Sequence, residues 1–273
     1  MSVRVTVNRL HGIEAVTLDF GGTLVHVDRA GLREAARVMA LEVAVRLGPY
    51  DLDAFLDAWG EERERQFRED VPRFREVDLE QRFARVLARL RGLAAPAEDV
   101  PWDDAEAARR SDPGERRWAV DAYSRAFVAA IPPAPEVEPV LARLAARHRL
   151  AILSNWPLAT TLDTYVERAG WARHLSAVVV SERVGTIKPH PAIFAVAAAA
   201  LGDPLPSAIL HVGDDWAADV VGAKSVGWRA AYIPDPTPDS PFPDSPRDAT
   251  TEPDVELERL SDLETVLAPG SPG

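Results

Sequence analysis

The chain contains no cysteine, and of its 31 basic residues only Lys188 and Lys224 are lysine. The first absence excludes disulfides and thiol chemistry and suits a reducing compartment. The second leaves arginine as the general surface cation, so a retained lysine is informative. Positive charge is also scarce overall: 43 acids against 31 bases give a net charge of −12. A chain of this sign repels nucleic acid and anionic membrane surfaces, and neither is expected as a partner. No stretch approaches the roughly 20 apolar residues of a membrane span. The N-terminal "MSVRVTVNRLHG" lacks the apolar centre of a signal peptide. A soluble cytoplasmic protein is the expectation, and nothing in the patterning selects an oligomeric state.

What is present is a globular composition, 47% hydrophobic over 273 residues, enough for a core domain with an insert. Short, nearly continuous apolar runs occur at Ala15–Leu18, Leu150–Leu153, Ala177–Val180, Ala208–Val212 and Ala230–Ile233. They read as parallel strands buried on both faces. Helical patterns separate the later ones, at Glu136–Arg147, Leu158–Arg168, Ala192–Leu201 and Ala217–Val226. Strand and helix alternation predicts an α/β fold: a Rossmann-like, doubly wound parallel sheet with right-handed crossovers.

The first crossover departs from that rhythm. From Arg29 to Ala130 no strand signal occurs, and amphipathic helices are predicted at Ala30–Leu47, Asp51–Glu69, Leu79–Leu93, Asp103–Arg110 and Glu115–Ile131. The predicted organisation is a core of residues 1–28 and 132–273 with an all-helical cap at 29–131. Such an insert is expected over the C-terminal edge of the sheet, where doubly wound folds bind ligands, and there it can act as a lid. Residues 235–253, dense in Pro, Asp and Ser, read as a solvated loop. "DVELERLSDLETVL" reads as an edge strand and closing helix, and the final "APGSPG" as a frayed end.

Four clusters fall at predicted strand ends. Asp19 ends the first strand in "LDFGGTL". Ser154 and Asn155 end the second in "ILSN". Lys188 stands in "GTIKP" after the third, and Asp214, Asp215 and Asp219 in "HVGDDWAAD" after the fourth. Several carboxylates converging on one edge need a hard cation, and oxygen ligands with a phosphate substrate favour Mg²⁺. Lys188 would offset charge on a nucleophile and on phosphate, and Ser154 would donate to phosphate oxygens.

These motifs resemble those of the haloacid dehalogenase (HAD) superfamily of aspartate-nucleophile hydrolases, in the branch (subfamily I) whose helical C1 cap follows the first strand. The resemblance covers most of residues 13–233. It implies a Mg²⁺-dependent hydrolase acting on a small phosphorylated metabolite, with Asp19 as nucleophile forming an aspartyl-phosphate. It further implies metal held by Asp19, the Gly21 carbonyl and Asp214, with Asp219, or less directly Asp215, ordering the shell. Thr23, Ser154, Asn155 and Lys188 would bind the phosphoryl group.

Gly21 is the departure. Most phosphatases of this superfamily carry a second aspartate there, which protonates the leaving oxygen and then activates water. Glycine keeps the carbonyl and loses the acid, a function worth about 10²–10⁴-fold. His26 and Asp28 are candidate substitutes. Three alternatives follow: a catalytically silent phosphate-binding or protein-interaction domain, a 2-haloacid dehalogenase whose halide needs no proton, and a phosphonatase. The last needs a lysine from the cap, and residues 29–134 contain none. Trp156 is a candidate substrate contact. Arg63, Arg65 and Arg68 are candidate cap contacts for an anion. Lys224 is expected on a solvated helix face and His190 in a turn.

Overall fold

The computed structural model describes residues 9–242 and 245–268. The frayed end expected over 269–273 lies outside the described residues. The chain divides into two compact units: an α/β unit (the chain up to Asp28, Pro133–Trp156, and from Asp163 onward) and a helical unit (Arg29–Pro132 with Pro157–Leu162).

The α/β unit is built on β1 (Ala15–Leu18), β2 (Arg149–Ser154), β3 (Ala177–Val180), β4 (Ile209–Gly213), β5 (Arg229–Tyr232) and β6 (Val255–Glu256). All neighbours are parallel, in the order β3-β2-β1-β4-β5-β6. β1 and β4 are buried along their whole length, as strands covered by helices on both faces must be. The chain builds outward from β1 through β2 to β3, then returns to place β4 on the other side of β1. The carboxyl ends of β1 and β4 therefore flank the reversal, where doubly wound sheets bind ligands. Five strands and the edge strand lie within a residue or so of their sequence-based positions.

In the helical unit α1 (Arg29–Leu47), α2 (Leu52–Asp70), α3 (Leu79–Leu90), α4 (Asp104–Ala108) and α5 (Pro113–Ala130) follow in turn. Their starts are written locally. Asp51, Asp78 and Asp103 each accept a backbone N–H of the first turn, and Asp112 forms a capping box with Glu115 ahead of Pro113. Phe55, Phe83 and Phe127 are fully buried, and Phe83 packs on Trp59 with centroids 4.9 Å apart. Buried charge joins them: Arg85 pairs with Glu69 at 2.9 Å and Asp104 at 2.8 Å, and Trp102 Nε1 donates to Glu62 at 2.8 Å.

The remaining helices are α6 (Val137–Ala145), α7 (Ala159–Arg168), α8 (Ser181–Val184), α9 (Pro191–Ala200), α10 (Gly222–Ser225) and α11 (Leu263–Val266). His190 caps α9, accepting from Ala192 N. A π-helical turn, Trp216–Val221, replaces the start of the single helix expected at Ala217–Val226. Among the described residues no helix is long and apolar enough to cross a membrane.

Two expectations change. The Pro/Asp-rich loop is not merely solvated: Ser245 Oγ donates to Asp215 at 2.9 Å, Trp216 Nε1 to Asp248 at 3.3 Å, and the Arg247 guanidinium covers the Trp216 and Tyr232 rings. Single anchors spaced along a polar segment leave its average composition loop-like, which is why composition misreads it. Lys224, likewise, is one-third exposed and bonded to Asp254 at 3.0 Å. Asp254 also accepts from Arg229 at 2.8 Å and from Ala230 N at 2.9 Å, joining α10, β5 and the approach to β6. Asp254→Ala should therefore lower stability by about 1–3 kcal/mol in urea unfolding, whereas Lys224→Gln, at a half-open site, should cost less.

Candidate active site at the β1–β4 crevice

Asp19 follows β1 directly, and its N–H donates to Val212 O at 2.8 Å, fixing it beside the end of β4. The turn behind it reverses tightly: Leu24 N and Val25 N both donate to Phe20 O, and Gly22 N to Val25 O. Gly22 has φ +82°, and a Cβ there would lie 2.2 Å from Asp214 Oδ2. Only glycine lets this turn and the Asp214 carboxylate share the space. Thr23, buried in the same turn, donates its hydroxyl to Asp214 Oδ1 at 3.0 Å.

Lys188 binds these pieces together. It is 2% exposed, and its ammonium donates to Asp19 Oδ1 at 2.8 Å, Asp219 Oδ1 at 2.6 Å and Leu153 O at 2.9 Å. An ammonium has three N–H groups, so all are engaged. Sequence alone groups Asn155 with the anion-binding residues. In the structure its amide brackets the Lys188 main chain, accepting from N at 2.6 Å and donating to O at 3.0 Å. Ser154 differs: it is buried at the end of β2, and its hydroxyl has no partner among the described residues.

Asp219 is held on every side. Oδ1 also accepts from His211 Nε2 at 2.9 Å, and Oδ2 from Asp215 N at 2.9 Å. An ionised carboxylate only accepts, so Nε2 carries the imidazole proton, and Nδ1 accepts from Thr17 Oγ1 at 2.8 Å. Sequence reasoning missed Thr17 and His211, which read as ordinary strand positions. Asp215 caps the π-helical turn through Ala218 N at 2.6 Å.

Charge is unbalanced here. Asp19, Asp214 and Asp219 each present an oxygen within 4.8 Å of the others, against one ammonium. Burial, then Asp19 and Asp219, push the Asp214 carboxyl up to about 9. Burial raises Asp19 to about 6, against the pull of Lys188. Asp219 is held low despite its burial, by Lys188 and His211. Lys188 is held above the ordinary lysine value, the two aspartates outweighing its burial. An all-oxygen, electron-rich set lacking one cation fits a hard divalent ion. Asp219 has both oxygens committed, whereas no described group donates to the Gly21 carbonyl.

The space beside Gly21 is filled from elsewhere. A Cβ on Gly21 would lie 2.8 Å from two ring carbons of Phe242, in the Pro/Asp-rich loop, and 3.4 Å from Trp156. Trp156 meets Phe242 and Phe20 edge-on, with centroids 6.1 and 5.2 Å away. His26 is paired with Asp235 at 3.5 Å on the same loop.

With this geometry in hand, the sequence comparisons are decisive: residues 13–227 match the haloacid dehalogenase-like hydrolase family. The chain belongs to that family. Among curated relatives, a phosphoserine phosphatase of Thermus thermophilus is 34% identical over 197 residues, covering 58% of this chain and 78% of the relative. A ribulose-1,5-bisphosphate 5-phosphatase of Halopiger xanaduensis is 30% identical over 160 residues, covering 57% of this chain and 65% of the relative. Among solved structures, a 2-haloacid dehalogenase of Pseudomonas syringae pv. Tomato DC3000 aligns over 93% of this chain and 97% of its own, with TM-score 0.61 and 25% identity. This HAD-family hydrolase thus has phosphatase-named relatives and a dehalogenase among its structural neighbours.

A carboxyl raised from 3.8 to about 9 destabilises the fold progressively as pH rises above 3.8. Asp214→Asn should therefore raise the melting temperature at pH 8 in chelator, by the equivalent of ~1 kcal/mol or more.

Proposed function

We propose that the chain is a Mg²⁺-dependent phosphohydrolase with Asp19 as its nucleophile, acting on a small phosphorylated metabolite whose leaving group needs little protonation. The observation that carries this reading is the convergence of Asp19, Asp214 and Asp219 around the Lys188 ammonium at the reversal of strand order. The phosphatase-named relatives support the substrate class.

Asp19, Asp214 and the Gly21 carbonyl would hold the ion, with Asp219 ordering them through Lys188 and Asp215 N. The ion supplies electrostatic offset between the nucleophile and the phosphoryl oxygens. An Asp19 oxygen attacks phosphorus, forming one O–P bond as the bond to the leaving oxygen breaks. Water then attacks the aspartyl-phosphate at phosphorus, releasing phosphate and restoring Asp19. Lys188 neutralises Asp19 in both steps without needing a free N–H, and the Ser154 hydroxyl donates to the phosphoryl group. Asn155 acts by placing Lys188, and Thr23 by placing Asp214.

Gly21 provides no acid, and Phe242 excludes water from the place where one would stand. Aryl and acyl phosphates depart without a proton, and alkyl phosphates do not. Phosphate release with Mg²⁺ from p-nitrophenyl phosphate should therefore exceed that from an alkyl phosphate by about 10²–10⁴-fold in kcat/KM, and Asp19→Asn should release none. Gly21→Asp combined with Phe242→Ala should narrow the gap, since the ring no longer blocks the new carboxyl. Full activity in Asp19→Asn would overturn the nucleophile assignment, and equal rates on the two esters would overturn the missing acid. The dehalogenase neighbour and Gly21 favour a second reading, for which chloride release from 2-chloropropionate in chelator is the discriminating assay.

A further inference from the structure

The helical unit buries several arginines and satisfies nearly all of them. Arg65 donates to the carbonyls of Pro96, Ala97 and Val100. Arg85, 3% exposed, has Glu69 and Asp104. Arg89 has Glu61 and Glu62. Arg68, a candidate anion contact by its charge, is paired with Glu98 at 3.2 Å.

Arg82 on α3 is the exception. It is 4% exposed. Its Nε donates to Gln66 Oε1 at 2.8 Å and its guanidinium lies over the Trp59 ring at 4.9 Å. Among the described residues no carboxylate lies within salt-bridge distance of it, and its two terminal nitrogens have no hydrogen-bond partner. The acids in its surroundings are Glu62 and Glu76. Glu62 is already engaged by Arg89 and Trp102. A buried guanidinium without a contacting counter-charge is costly, and proteins normally pair or neutralise it.

The neighbours sharpen the imbalance. Tyr123 on α5 packs on the same Trp59 ring, centroids 5.1 Å apart, and its hydroxyl has no partner among the described residues. Arg63 on α2, by contrast, is paired with Glu64 at 2.8 Å and lies over the Phe67 ring at 4.8 Å. Three helices thus bring the Arg82 guanidinium and a phenol together on one indole.

We propose that Arg82 and Tyr123 form an oxyanion-binding site of the helical unit, which takes the carboxylate or phosphate group of a small anionic metabolite. The planar guanidinium accommodates either group in a two-pronged contact, and Gln66 and Trp59 hold its plane. None of these residues belongs to the set that carries the proposed hydrolysis, and the test needs no turnover.

The test is thermal unfolding of the whole chain in chelator, where the unneutralised aspartates of the α/β unit repel anions. Inorganic phosphate and malonate are compared separately with chloride at equal ionic strength. One or both should raise the wild-type melting temperature, and which one does so distinguishes phosphate from carboxylate recognition. Arg82→Met should melt higher than wild type without ligand and bind the anion about tenfold or more weakly. Tyr123→Phe, which keeps the ring, should weaken the anion effect while leaving the ligand-free melt in place. A wild type indifferent to both anions, or an Arg82→Met that melts lower and keeps the full anion response, would overturn the site and leave Arg82 a packing residue.

Discussion

The Lys188 ammonium is the contact on which the edge of the α/β unit depends. Buried and with all three N–H groups engaged, it joins β1, β2 and the π-helical turn through Asp19, Leu153 O and Asp219. An ammonium removed from water is tolerable only with such a complete shell. Around it the other placements become intelligible. Asn155 fixes its main chain, His211 and Thr17 fix Asp219, and Asp215 N closes the remaining Asp219 oxygen. The aspartate at the centre of the network is thereby immobilised by polar contacts, and an oxygen set one cation short is left facing the crevice.

That arrangement was legible in the sequence to an unusual depth. Continuous apolar runs identify buried parallel strands, and a carboxylate or lysine directly after such a run is placed at the ligand-binding edge by topology alone. Asp19 and Asp214 follow from this reasoning, as does Ser154 at the end of β2, whereas Lys188 and Asp219 stand several residues beyond their strands and are placed by the motifs they belong to. What did not follow depends on side-chain direction across long separations. Asn155 is adjacent to Ser154 yet turns toward Lys188, 33 residues on. His211 sits inside a strand, where neither periodicity nor composition separates a hydrogen-bonded imidazole from a packed one. The π-helical turn is invisible because its residues suit an ordinary helix, and within it Asp219 turns back to accept from Asp215 N.

Buried charge is handled differently in the two units. In the α/β unit, the buried Lys188 is fully partnered and the deficit is of positive charge. In the helical unit, Arg65, Arg85 and Arg89 are partnered by carbonyls and carboxylates, whereas Arg82 has the Gln66 amide oxygen. Both departures are deficits of a counter-ion, of opposite sign, in surroundings that otherwise satisfy their charges. Residues selected for stability alone would be expected to close such gaps, because apolar side chains of similar volume cost less than an unpaired buried charge.

Gly21 and the Pro/Asp-rich loop are best understood as one feature. The Phe242 ring lies where a side chain at position 21 would begin, so a larger residue there requires the ring to move. The loop reaches that place because Ser245, Arg247 and Asp248 anchor it to the π-helical turn and β5. A carboxyl at position 21 would meet an aromatic face and the Trp156 edge, surroundings that penalise an ionised acid by desolvation. Restoring the acid by one substitution therefore adds a charge to an apolar contact, and the change becomes coherent only when the ring leaves as well. Glycine at position 21 and the Phe242 ring fill one volume between them, and the surface they make beside Asp19 is apolar where an orthodox phosphatase of this family is polar.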